Sequence, residues 1–298
     1  MRLPQLSRIA AAAAVVVLTA TACGQQAQLG DSGAAPPPVQ EDATFEAGTT
    51  MARLNEAGAL RVGTKFDQPL FGLRGLDGAP VGFDVEIAKI IAAKLGIPED
   101  GVTYTETPSR IREDVIANDQ VDIVVATYTI NDTRRERVSF AGPYYQAGQD
   151  LMVAADNTTI TGPDSLRAAN ARVCSVTGST PATNIEQYVD PANIVLFDVY
   201  SNCADALRNG QVDAVTTDNV ILLGLIEASQ GAFKLVDQPF TEEPYGIGIT
   251  KGDVAFCEFI NQTLTESVED GSYAAAWEST AGTVQPEVPE LPEFQPCS

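Results

Sequence analysis

A recurring decapeptide constrains this chain most. Residues 118–127 read NDQVDIVVAT and residues 209–218 read NGQVDAVTTD. Asn, Gln, Val, Asp and Val return in register. In each copy a helix ends in a polar turn, then a V-D-x-V strand runs into a polar residue. Coincidence between two αβ units is the plain alternative. Two lobes of like topology explain more, because they place Thr127 and Asp218 at equivalent strand ends. Ligands in open α/β sheets lie outside the carboxyl ends of the strands, so this pair is expected to face one cleft.

The flanking patterns agree with an α/β fold. Residues 60–64 read as a strand and 84–95 as a helix. In that helix Asp84 can cap, Val85, Ala88, Ile91 and Leu95 share a face, and Gly96 and Pro98 end it. A strand at 102–106, a helix at 109–118 and an apolar strand at 121–127 follow. The pattern then restarts, with strands at 151–155, 171–176, 194–197 and 213–217 and helices beginning near Thr180, Ser201 and Asn219. A strand at 245–250, a helix at 254–271 and a proline-rich strap over 285–296, pinned by Cys297, complete the chain. Such βαβ order implies mostly parallel sheets. A length of 298 residues suits two lobes better than one core.

Charge and composition remove several functions. The chain has 18 basic and 40 acidic residues, a formal charge of −22, and no histidine. An acidic surface repels nucleic acid. Without histidine there is no Ser-His-Asp triad and no usual zinc ligand set, so neither a metal nor a cofactor is expected. An anionic ligand would need a locally basic site against the global field. The missing histidine also predicts an affinity nearly flat between pH 6 and 8.

The N-terminus carries Arg2 and Arg8, then an apolar run over 9–22 too short to span a membrane. Cys23-Gly24 follows, and the segment resembles a bacterial lipoprotein signal in which Cys23 receives the lipid. Ala20-Thr21-Ala22 equally suits ordinary cleavage and free secretion. Residues 23–49, rich in Ala, Gly, Gln and Pro, read as a flexible tether. Removing Cys23 from the count leaves Cys174, Cys203, Cys257 and Cys297, an even number in an oxidising compartment.

Residues 82–95 (GFDVEIAKIIAAKL), 129–140 (TINDTRRERVSF) with Gly142-Pro143-Tyr144-Tyr145, 212–218 and 245–248 together resemble the family 3 extracellular solute-binding proteins of polar amino-acid ABC importers. The resemblance spans about residues 50–283 and is nearest the actinobacterial glutamate-binding lipoproteins. It implies a two-lobed, periplasmic-binding-protein-like fold with two hinge-crossing strands and a ligand cleft between the lobes. The first lobe would comprise 50–147 and 244–283, the second 148–243, with 1–22 as signal and 284–298 as strap. Cys174 and Cys203 then share the second lobe, and Cys257 and the tail share the first, which favours the disulfides Cys174–Cys203 and Cys257–Cys297.

The resemblance also assigns a site. Arg134 grips the α-carboxylate, its planar fork allowing two parallel hydrogen bonds. Asp218 binds the α-ammonium; the competing reading is a helix cap. Gly178, Ser179 and Thr180 lead into a helix start, with Thr180 capping and Pro181 at the first position. Thr127 and Thr129 supply polar groups from the first lobe, and Phe66 and Tyr245 wall the pocket. Lys65 stands where binders of acidic amino acids carry a cation, and Arg74 lies on a loop within reach. Glutamate is therefore the expected ligand, ahead of aspartate, glutamine and asparagine. The expected protein is no enzyme. It is a monomer, held to the membrane by its lipid and delivering its amino acid to an ABC permease and ATPase by hinge closure. A sensor docking on a membrane receptor is the alternative.

Overall fold

A computed structural model describes residues 37–76 and 78–298. The expected signal segment and Cys23 lie outside the described residues. No helix among the described residues is long and apolar enough to cross a membrane.

The first half of the chain runs α1 (Thr50–Ala57), β1 (Leu60–Thr64), β2 (Asp67–Gln68), β3 (Gly72–Arg74), β4 (Pro80–Val81), α2 (Phe83–Lys94), β5 (Val102–Glu106), α3 (Arg112–Ala117), β6 (Ile123–Val124), α4 (Asp132–Arg135) and β7 (Ser139–Ala147). The second runs β8 (Gln149–Ala154), α5 (Pro163–Ala168), β9 (Val173–Val176), α6 (Thr180–Asn184), β10 (Ile194–Phe197), α7 (Tyr200–Arg208), β11 (Ala214–Asp218), α8 (Asn219–Glu227) and β12 (Phe233–Leu235). The chain then returns through β13 (Glu243–Ile249) to α9 (Val254–Glu269) and α10 (Ser272–Glu278).

Two five-stranded sheets result, ordered β5-β1-β6-β13-β7 and β10-β9-β11-β8-β12. Each has three parallel strands followed by two joined antiparallel. The strand orders are equivalent, with β6 and β11 in the same place, and the decapeptide echo is a structural repeat. Its aspartates show why the sequence recurs. Asp122 accepts from the Arg61 backbone N–H (2.9 Å) and Nε (3.0 Å). Asp213 accepts likewise from Arg172, at 2.8 and 3.1 Å. Each aspartate locks the start of its strand to the parallel neighbour. The residues that directly follow the helix C-caps Asn118 and Asn209, Asp119 and Gly210, follow a common path, with φ of 52° and 66°.

The chain crosses between sheets twice, at Gly148 between β7 and β8 and again just before β13. The crossings run side by side: Gln149 N–H donates to Thr241 Oγ1 at 3.2 Å, and Phe240 N–H to the Gln149 carbonyl at 3.0 Å. Under the first sheet, Phe71, Phe83, Tyr145, Tyr245 and Trp277 form an aromatic cluster, with Tyr145 stacked on Trp277 at 5.3 Å. Both expected disulfides are present, Cys174–Cys203 and Cys257–Cys297. The second ties down the strap, whose Gln295 N–H donates to the Gly142 carbonyl.

Several sequence expectations change. Gly82, not Asp84, precedes α2, and Asp84 is fully buried in it. The expected helix at 109–118 is a 3-10 turn followed by α3. The strand expected over 121–127 pairs only at Ile123–Val124, because the chain leaves the ladder to build the cleft. The helix at 254–271 stops at Glu269, and α10 follows it. Residues 40–45 are packed rather than free. Gln40 N–H bonds the Ala93 carbonyl, Ala43 is buried, and Phe45 meets Phe259 edge-on.

Candidate functional site

Both sheets end in polar residues at a shared cleft. Thr127, just beyond β6, adopts φ +46°, an unusual backbone for a β-branched residue. Two contacts hold it. Its N–H donates to Asp84 Oδ2 (2.8 Å), and its hydroxyl to Gln68 Oε1 (3.0 Å). Asp84 also accepts from the Tyr144 hydroxyl at 2.5 Å. Burial pushes the Asp84 carboxyl up to about 7.

Arg134 lies on the four-residue helix α4 and is buried. Its Nη1 donates to the Thr129 carbonyl at 2.6 Å, and its Nη2 reaches across the cleft to donate to the Gly178 carbonyl at 3.2 Å. Glu113 stands 3.5 Å from its Nε. Burial, reinforced by Arg112, lowers the guanidinium to about 10. Its neighbours behave differently. Arg137 pairs with Asp114 at the surface, and Arg135 bonds Gln295 of the strap.

The opposite wall begins with Gly178, at φ +80° and so close to Arg110 that a Cβ would come within 2.7 Å of its Cα. Ser179, rather than Thr180, caps α6, its Oγ accepting from Ala182 N–H at 3.1 Å; Pro181 is the second helical residue. The freed Thr180 hydroxyl instead donates to Glu243 Oε2 at 2.7 Å and approaches Thr129 Oγ1 at 3.3 Å. Asp218 precedes α8, yet its side chain makes no capping bond. Its Oδ2 accepts from the Tyr245 hydroxyl at 2.6 Å, and its Oδ1 is buried without a partner. Burial first, then nearby Glu243, pushes Asp218 up to about 8. Tyr245 itself is fully buried beneath the cleft and reaches it through Asp218.

Lys65 is buried at the end of β1, its Nζ donating to Ser109 Oγ at 2.9 Å. Burial, then adjacent Arg112, holds its ammonium down at about 7. Arg74 departs from expectation: it is exposed, bonds the Gly78 carbonyl and lies over the Phe66 ring at 5.0 Å. Lys65, Arg74 and Phe66 all lie outside the lining of the cavities between the sheets, Lys65 behind Ser109 and Arg112, which line the inner one.

Arg112, Ser109, Tyr200 and Glu243 were missed in the sequence. Arg112 is buried over the Tyr128 ring at 4.2 Å and donates to the Ala126 carbonyl at 2.9 Å; its Nε has no partner. Nothing in the SRIRED run separates Arg112 from exposed Arg110, since three-dimensional burial alone distinguishes them. Asp218, Thr217 and Arg112 each carry an unpaired buried polar atom, and all three line the inner cavity with Ser109, Thr127, Thr129, Ser179, Thr180 and Tyr200. Unpaired buried polar atoms are costly, and a polar ligand can satisfy them. The inner cavity measures ≈ 10 Å³, about one water molecule, so the walls must part to admit anything larger. Its mouth, lined by Arg134, Glu113, Thr129, Gly178, Thr180 and Glu243, widens to ≈ 720 Å³. The described residues contain no cluster of potential metal ligands.

The comparisons agree with this architecture. Residues 60–280 match the bacterial extracellular solute-binding proteins, family 3. The chain is 38% identical over 279 residues to the glutamate-binding protein GluB of Corynebacterium efficiens, covering 90% of this chain and 88% of that protein. It is 34% identical over 258 residues to the ABC transporter glutamine-binding protein GlnH of Bacillus subtilis, covering 86% and 90%. Its fold is similar to that of an ancestral arginine-binding protein bound to glutamine, with a TM-score of 0.69 and 33% identity, over 75% of this chain and 97% of that one. It is also similar to AncCDT-1, an ancestral amino acid-binding protein and precursor of cyclohexadienyl dehydratase, with a TM-score of 0.70 and 28% identity, over 78% and 99%. With two like-built sheets closing on a charged cleft and a family match over most of its length, this chain belongs to the bacterial extracellular solute-binding proteins, family 3.

Proposed function

We propose that this chain captures an acidic amino acid, glutamate foremost, outside the cell and delivers it to an ABC permease and its ATPase. The observation that carries the reading is the distribution of charge. Arg112 and Arg134 are buried on one wall with Lys65 behind them, and the other presents Asp218 with an unpaired oxygen. A zwitterion with a second carboxylate matches that set. Its ammonium meets Asp218, its α-carboxylate meets Arg134, and its side-chain carboxylate meets Arg112 and Lys65. A neutral side chain would offer those cations no carboxylate beyond the acids already beside them, among them buried Asp84, whose own ionisation burial opposes. The relatives named for glutamate and glutamine support the class of ligand.

Binding is by hinge closure, because contacts to both charged ends come from opposite sides of the cleft. No covalent step is involved. Cys23 carries a lipid that holds the protein at the outer face of the membrane as a monomer. Thermal-shift and calorimetric screening against the common amino acids tests the reading. Glutamate is expected to stabilise most. A protein stabilised by arginine or by no amino acid would contradict it.

A further inference from the structure

Val199 occupies the position before α7 and has no side-chain group to cap it. The first N–H groups of a helix still need acceptors. One acceptor comes from across the cleft: the Tyr200 N–H donates to Asp67 Oδ2 at 2.7 Å. Asp67 opens β2, in a small three-stranded sheet between β1 and α2. Its carboxylate thus sits at the positive end of a nine-residue helix on the other side. Two residues on, Pro69 lies against α8, where a Cβ on Gly224 would fall 2.4 Å from the Pro69 carbonyl oxygen. Asp67, Pro69 and Gly224 line neither cavity, whereas Tyr200 lines the inner one beside Asp218.

We propose that Asp67 caps α7 from the opposite lobe, seated by the Pro69–Gly224 contact, and that this latch sets how long the amino acid stays bound without touching it. The inference rests on the amino-acid-binding reading above. A helix whose own preceding residue cannot cap gains an acceptor only when the cleft is shut. Opening returns both partners to water. Loss of a cap of this kind changes an equilibrium by roughly 5–30-fold. The contact forms only after ligand has entered, so the change falls on dissociation rather than association. The nearby Arg110–Asp198 pair spans the same edge at 2.9 Å, but both partners are half exposed and it adds little.

Stopped-flow measurement of glutamate association and release, on the full chain, tests the latch. D67A is expected to speed release roughly 5–30-fold, with association and the ligand-free melting midpoint unchanged. D67N should restore slow release, because an asparagine oxygen also caps. G224A should speed release further, and small-angle scattering should show it failing to contract on saturation with glutamate. Release from D67A at the wild-type rate, or full contraction of G224A, overturns the latch while leaving the binding reading intact. A wild-type protein that no amino acid stabilises overturns the binding reading, and the latch with it.

Discussion

The Tyr245 hydroxyl donates to Oδ2 of Asp218 at 2.6 Å, while Oδ1 of the same carboxylate has no partner. The tyrosine enters from the first sheet and the aspartate from the end of β11. One oxygen is therefore fixed by the fold, and the other points to a donor that the fold does not supply. This arrangement trades stability for binding.

The trade can be measured. Burial raises Asp218 from 3.8 to about 8. A carboxyl raised on folding destabilises the folded state as pH climbs past its unfolded value, and the loss is complete above the folded one. D218N removes that loss at neutral pH. We expect its ligand-free melting midpoint at pH 7.5 to rise by on the order of 5 °C and its glutamate binding to vanish. A lower midpoint would show that the carboxylate supports the fold instead.

The three buried cations should divide by role. R134M is expected to abolish binding of glutamate and glutamine alike, since both carry the α-carboxylate. R112M and K65M should weaken glutamate by roughly 2–5 kcal/mol and leave glutamine within a few-fold. Calorimetry with both ligands checks this. Equal losses for the two ligands in R112M would remove it from side-chain recognition.

Affinity should depend on pH although the chain has no histidine, contrary to the expectation from composition. Binding needs Asp218 ionised and Lys65 protonated, and these groups titrate near about 8 and about 7. Below the Asp218 value, binding must expel a proton, so affinity rises with pH. Above the Lys65 value it must take one up, so affinity falls. The outcome is a bell peaking between pH 7 and 8. K65M should lose the alkaline limb, and a flat wild-type profile would refute the assignment.

The Cys257–Cys297 bridge closes the strap against α9. C297S should lower stability by roughly 2–4 kcal/mol and expose residues 285–298 to protease. Mass spectrometry of timed digests, beside a melting curve, reads both effects. A strap as resistant as in the wild type would mean that Gln295 and its hydrogen bonds suffice.

Local pattern carried the architecture. Apolar periodicity placed β1, β5 and β10 at their observed bounds, and the echo placed β6 and β11 at the same station of two sheets. Cysteine parity, with the family layout, gave the disulfides that are present. These features depend on neighbours along the chain, which a sequence displays. The tertiary structure decided the rest. It separated buried Arg112 from exposed Arg110, moved Arg74 out to the Phe66 ring, gave the α6 cap to Ser179, and brought Asp67 to a helix 133 residues away. It also brought Lys65 and Asp218 into the physiological pH range. The energy of a charge depends on how much water it loses and which distant segments surround it, and a string of residues holds neither quantity.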